Sequence, residues 1–214
     1  LEKLHQEFLA REAERLGVVL RPVELEQFST YLQELKAWNK KVNLTSLRDD
    51  LDILIKHFLD SLLPVRYIPR HSSLLDIGSG AGFPGIPLKI AEPTLFVTLL
   101  DSTRKKVFFE RHLIRTLGLD GIEALHGRAE DLGKKEAPPV FDVIISRALY
   151  GLEKLQQASE GCIRRGGRLI VLTTPHPGNE QQEQVREGFR WKECTDSILP
   201  LDRGRRRIIL LEKI

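Results

Sequence analysis

The sequence predicts an α/β fold: a mostly parallel sheet of seven strands, closed by an antiparallel hairpin and preceded by an all-helical extension. Three observations predict it. From about Leu74 onward, short apolar runs alternate with helical patterns, the signature of parallel strands joined by crossover helices. Leu74, Leu75 and Ile77 are followed by Gly78, Gly80 and Gly82 at every second position and then by Phe83-Pro84, which reads as strand, glycine turn, helix. Residues 1 to about 70 carry their apolar side chains at helical spacing instead.

In chain order, Leu1, Leu4, Phe8, Leu9 and Leu16 form the stripe of a first helix, with Gly17 as its stop. Pro22 opens a second, whose stripe is Leu25, Phe28, Leu32, Leu35 and Trp38 and which Asn43-Leu44-Thr45 ends. A third runs from about Asp49 to Leu62 before Pro64. These helices make residues 1–70 an extension too apolar on one face to float free, expected to pack on a domain spanning 71–214. The second strand ends at Asp101, and a helix from Thr103 to Leu117 should bury Val107, Phe108, His112, Leu113 and Leu117. Ile122–His126 is a third strand, Phe141–Ala148 a fourth with its exit, and Lys134 to Pro139 a surface loop. A helix from Leu152 to about Arg164 should stop at Gly166-Gly167, ahead of a fifth strand, Arg168–Thr173. Gln181–Phe189 reads as a last helix, and Trp191–Leu199 and Arg206–Glu212 as antiparallel strands joined by a short connection.

Composition narrows the function classes. At 214 residues with 41% hydrophobic side chains, a sizeable core is possible. Lys plus Arg number 33 against 30 Asp plus Glu, a mild basic excess that permits nucleic acid as a partner without demanding it. Cys162 and Cys194 have no neighbours at metal-ligand spacing, so neither a metal site nor a disulfide is expected. No apolar stretch has transmembrane length. A soluble, cytoplasmic monomer is the expectation.

The glycine turn lets a ligand lie against bare backbone. In the dinucleotide fingerprint the third glycine follows the first by five residues, whereas Gly82 follows Gly78 by four. Pro84 also withholds an N–H that a phosphate would use. The slot therefore suits an uncharged or cationic ligand better than a pyrophosphate. Asp101, twenty-three residues beyond Gly78, stands where a carboxylate grips a ribose diol; its alternative role is to cap the helix that follows.

Asn43-Leu44-Thr45, His57-Phe-Leu-Asp60-Ser61, the string Asp76 to Pro87, Leu100-Asp101-Ser102 with Lys105, and Ser146-Arg147-Ala148 together resemble the ribosomal small subunit methyltransferase G family, also called glucose-inhibited division protein B. The resemblance covers nearly the whole chain. It implies a Rossmann-like S-adenosylmethionine-dependent methyltransferase acting on N7 of one guanine in the decoding-region hairpin of bacterial 16S ribosomal RNA, within the small ribosomal subunit. Residue by residue it implies cofactor contacts at Gly78, Gly80, Phe83, Asp101, Ala129, Glu130 and Arg147. One departure is visible: Leu172-Thr173-Thr174 stands where the family usually has Leu-Lys-Gly.

Guanine N7 carries an in-plane lone pair and no proton, so such a reaction needs no general base. Catalysis then rests on alignment, worth about 7–11 kcal/mol when geometry is good, and Arg147 is assigned orientation rather than acid catalysis. Lys105, Arg128, Arg205 and Arg206 are the candidate RNA contacts within a basic rim; solvated surface charge is the plain alternative. The same cofactor chemistry on another acceptor, and a non-catalytic S-adenosylmethionine-sensing RNA-binding module, are the other readings.

Overall fold

The structure, a computed structural model, describes residues 3–133, 136–147, 151–175 and 185–214. Leu1, Lys134, Lys135, Ala148 and the 181–184 part of the expected last helix lie outside the described residues.

Helices α1 (Lys3–Arg15) and α2 (Pro22–Asn39) come first. Proline opens α2, and the Glu24 carboxylate accepts the Arg21 N–H at 2.8 Å, satisfying a donor the helix start leaves open. The third helical stretch is not regular. Asp50–Ile53 (α3), capped by the Asp49 side chain, runs into a π-helical turn at Leu54–Leu59 and continues as Asp60–Leu62 (α4).

The sheet follows: β1 (Ser73–Ile77), β2 (Phe96–Asp101), β3 (Ile122–His126), β4 (Phe141–Arg147), β5 (Ile163–Thr173), β6 (Phe189–Ile198) and β7 (Arg205–Lys213), with α5 (Gly85–Ala91), α6 (Arg104–Thr116), α7 (Ala129–Leu132) and α8 (Leu152–Ser159) between them. Its order is β3-β2-β1-β4-β5-β7-β6. The first five strands pair in parallel, and β7 runs antiparallel to both β5 and β6.

Alternation along the strands splits the core into two layers. Leu74, Leu99, Val143 and Ile145 face a cluster that includes Phe28, Tyr31, Phe58 and Phe109, so the N-terminal helices share this core with α5 and α6. Leu75, Ile77, Ile144 and Leu169 face the other way, against α7 and α8.

Four local expectations change. On α6 the buried aromatic is Phe109, while Phe108 points to solvent. The reason is α2, whose Trp38 ring lies 5.5 Å from that of Phe109 and whose Glu34 meets His112 at 2.7 Å, leaving His112 half-exposed. Helix α8 stops at Ser159, because Phe141 N–H bonds Cys162 O and Ile163 already pairs with β4. Gly166 and Gly167 therefore lie inside an irregular stretch of β5. Phe189 belongs to β6, not to a helix.

Candidate functional site

The carboxyl ends of β1, β2 and β4 meet where the winding reverses, the crevice in which open α/β sheets hold their ligands. The turn after β1 fills its floor. Gly78 donates to Leu100 O at 2.7 Å and Gly80 to Asp101 Oδ2 at 3.0 Å, with both glycines at positive φ. Asp101 Oδ1 accepts the Thr103 N–H at 2.7 Å. The carboxylate thus ties turn to helix, and each of its oxygens retains a second lone pair. A cavity of about 90 Å³ opens here, lined by Gly78, Leu100, Asp101, Lys106, Arg128 and Ala129 among others. A Cβ added at Gly80 would meet only Gly78 O, at 3.8 Å.

Behind the turn lie two buried acids. Asp76 Oδ2 accepts the Gly85 N–H at 2.8 Å, and Glu110 Oε1 accepts the Ser79 hydroxyl at 2.6 Å. Their other oxygens, Asp76 Oδ1 and Glu110 Oε2, are buried without partners. Burial pushes Asp76 up to about 7 and Glu110 to about 8, since a carboxylate loses its hydration there.

The opposite wall comes from the N-terminal helices. The Tyr31 hydroxyl donates to Ala81 O at 2.5 Å, and its ring stacks on Phe83 at 5.2 Å. Phe83 also stacks on His57 at 4.5 Å and is 3% exposed, so its ring braces the turn and has little surface left for a ligand. Burial, then the Arg147 charge, lowers His57 to about 3. The imidazole is neutral, and a guanidinium can only donate. His57 Nδ1 therefore accepts from Arg147 at 3.3 Å while Nε2–H donates to Thr45 Oγ1 at 2.8 Å.

Arg147, at the end of β4, also reaches Lys56 O at 3.2 Å and Asp60 Oδ2 at 3.4 Å, with its guanidinium 5.2 Å from the Phe83 ring centre. Arg206 Nε reaches the same Asp60 oxygen at 2.9 Å. Asp60 is fully buried, and burial raises its pKa while Arg147 and Arg206 pull against it.

The structure brings Gly78, Gly80, Asp101 and Ala129 to one cleft, with Phe83 and Arg147 on the adjoining wall. Glu130 stands apart: it is exposed and lines a separate cavity of about 590 Å³ with Gly133, Lys154 and Glu160. Among the rim cations, Lys105, Arg128 and Arg205 are exposed and make no ion pair among the described residues. Arg206 differs from that expectation, because the buried Asp60 draws its guanidinium inward. Arg203 and Arg207 are likewise paired, with Asp52 and Asp196. Asn43 is exposed, and it is Asn39 that organises the loop, accepting from Leu44 N and Thr45 N and donating to Thr45 O. Tyr31, Asn39 and Glu110 gave no motif signal in the sequence; Asp60 lay inside a motif string without a role.

A sheet in this order, with a glycine turn after β1 and a carboxylate at the end of β2, defines a Rossmann-like domain of the methyltransferase class. Solved structures share the fold: TrmN from Thermus thermophilus (TM-score 0.58, 21% identity, 75% of this chain and 53% of that one) and a point mutant of MtNAS in complex with S-adenosylmethionine (TM-score 0.57, 17% identity, 97% and 77%). Sequence comparison is more specific. The family model for rRNA small subunit methyltransferase G matches residues 24–209, and the chain belongs to that family. Proteins named ribosomal RNA small subunit methyltransferase G from Staphylococcus haemolyticus and Geotalea uraniireducens are each 37% identical to it. The alignments cover 97% and 98% of this chain, and 89% and 97% of those relatives.

Proposed function

We propose that this protein transfers a methyl group from S-adenosyl-L-methionine to N7 of a guanine in the decoding-region hairpin of bacterial 16S rRNA. The observation that carries the reading is the family match over residues 24–209, supported by a cleft of the right chemistry. Asp101 has lone pairs to spare for a ribose diol, Leu100 and Ala129 line the same cavity, and Gly80 leaves room beside the turn. The unpartnered Asp76 Oδ1 suits a cationic or N–H-bearing group nearby. These residues fit the cofactor, which when bound supplies the methyl group as a sulfonium.

The protein's own part is orientation. Asp101 and Gly80 hold the nucleoside end, Arg147 sets the edge nearest the N-terminal helices, and His57, being neutral, accepts from Arg147 rather than moving a proton. Because N7 bears no proton, the reaction asks for no general base from these residues. We take residues 1–70 as an extension that walls this site and 71–214 as the methyltransferase domain. Lys105, Arg128 and Arg205 are the proposed phosphate contacts. The described residues contain no helix long and apolar enough to cross a membrane, and a monomer working in the cytoplasm on the small ribosomal subunit is the reading that accompanies this one.

The test is transfer from methyl-labelled S-adenosyl-L-methionine to 30S subunits prepared without the modification, followed by mapping of the labelled base. One N7-methylated guanine in the decoding region is expected. Label on another acceptor, or cofactor binding with no transfer to any RNA, would overturn the assignment.

A further inference from the structure

The π-helical turn at Leu54–Leu59 lies in the wall of the site, and widened turns of this kind are frequent at functional sites. Here the turn and the residue after it offer three groups to one guanidinium: Lys56 O, His57 Nδ1 and Asp60 Oδ2 all lie within 3.4 Å of Arg147. Arg206, from the far strand β7, converges on the same Asp60 oxygen at 2.9 Å. The cluster thus draws on three separate parts of the chain, α4, β4 and β7.

Its charges do not cancel. His57 is neutral, so two guanidinium groups face one carboxylate and the cluster carries a net positive charge. Both arginine side chains are only about one-fifth exposed, at 21% and 19%, so water screens their mutual repulsion weakly. Asp60 is the group that makes their proximity tolerable. Its second oxygen, Oδ1, is buried and unpartnered, so all of its bonding to charge runs through the oxygen that the arginines share.

We propose that Asp60 is a positioning residue, holding Arg147 against the wall of the cofactor cleft by sharing one carboxylate oxygen between Arg147 and Arg206. The inference rests on the reading that Arg147 lines the cofactor site. Removing the Asp60 charge leaves two half-buried cations facing each other, and Arg147 turns away from the cleft. Removing Arg206 as well relieves the repulsion and lets Arg147 return to His57 and Lys56 O, which are untouched.

The experiment is a double-mutant cycle on the full chain with Asp60→Asn and Arg206→Gln, reading the Kd of S-adenosylhomocysteine by calorimetry and the thermal unfolding of each ligand-free variant. Coupling within a charged network of this kind predicts a Kd about tenfold weaker in Asp60→Asn, recovered to within about threefold in the double variant. A merely structural role gives the opposite: the double variant binds no better than Asp60→Asn and unfolds at a lower temperature. That pattern, or an Asp60→Asn variant that binds like the wild type, overturns the proposal. If the wild-type chain binds no S-adenosylhomocysteine, the cofactor assignment itself fails, and the role given to Asp60 falls with it.

Discussion

Replacing Gly85 by alanine tests whether the turn is held by close packing rather than by its glycines' freedom alone. Gly85 opens α5, and a Cβ there would lie 2.3 Å from Leu99 Cδ2, 2.9 Å from Asp76 Oδ2 and 3.3 Å from Asp76 Cβ. Leu99 and Asp76 are both fully buried, in strands β2 and β1. Neither has space to swing into, so the helix must move off the sheet. That movement stretches the Gly85 N–H bond to Asp76 Oδ2, on a carboxyl whose other oxygen already lacks a partner. Overpacking costs about 1–3 kcal/mol, and weakening a bond to a buried carboxyl costs about 1–3 kcal/mol more. For a chain of this size the sum corresponds to a fall in Tm of roughly 5–20 °C. The comparison variant is Gly80→Ala, where φ is +65° but the nearest atom to an added Cβ is 3.8 Å away. The left-handed backbone there costs a residue with a side chain about 1–2 kcal/mol, and the new methyl group projects toward the cleft. Scanning calorimetry should therefore rank Gly85→Ala as the less stable, and titration with S-adenosylhomocysteine should find Gly80→Ala weakened although folded. A Gly85→Ala protein melting within about 2 °C of the wild type would refute the packing argument.

Three further outcomes follow from the same geometry. Glu110 keeps a proton in the folded state up to about pH 8, whereas unfolded it releases it near 4.5. Its contribution to stability is thus full below 4.5 and lost as pH rises through 8, so the urea midpoint of Glu110→Gln should gain on the wild type across that window; a constant difference would count against a buried acid. Tyr31→Phe leaves Ala81 O without its 2.5 Å donor in the core, a loss of about 1–3 kcal/mol visible as a lower urea midpoint, and an unchanged midpoint would mean that another donor serves Ala81. Arg205→Ala should lower the salt dependence of RNA binding by about one phosphate contact with stability unchanged, while Arg206→Ala should lower stability because it exposes the buried Asp60 to fewer cations; equal effects of the two on the salt slope would place Arg206 on the RNA after all.

Much of the site was legible because backbone chemistry wrote it locally. Gly78, Gly80 and Asp101 sit where a strand, a tight turn and the end of the next strand must put them, and parallel pairing of β1 with β2 aligns Ile77 with Leu100 in one step. The π-turn was not legible, since Asp49 to Leu62 has ordinary helical periodicity and nothing in that pattern marks a widened turn. Nor was the inward pairing of Arg206, one of three consecutive arginines that differ in their partners. Arg205 is exposed, Arg206 reaches across to Asp60, and Arg207 meets Asp196 on the neighbouring strand.

The sequence by itself determined the alternation of strands and helices, the antiparallel close of the sheet, the glycine turn and the carboxylate that faces it, because each depends on residues near one another in the chain. Only the tertiary structure decided which of two adjacent phenylalanines on α6 is buried, that Tyr31 and His57 brace the turn from the N-terminal helices, and that Asp60 gathers arginines from β4 and β7. Those choices depend on which distant segment supplies the opposing surface or charge, and burial makes the cost of an unmatched group large enough to select one arrangement.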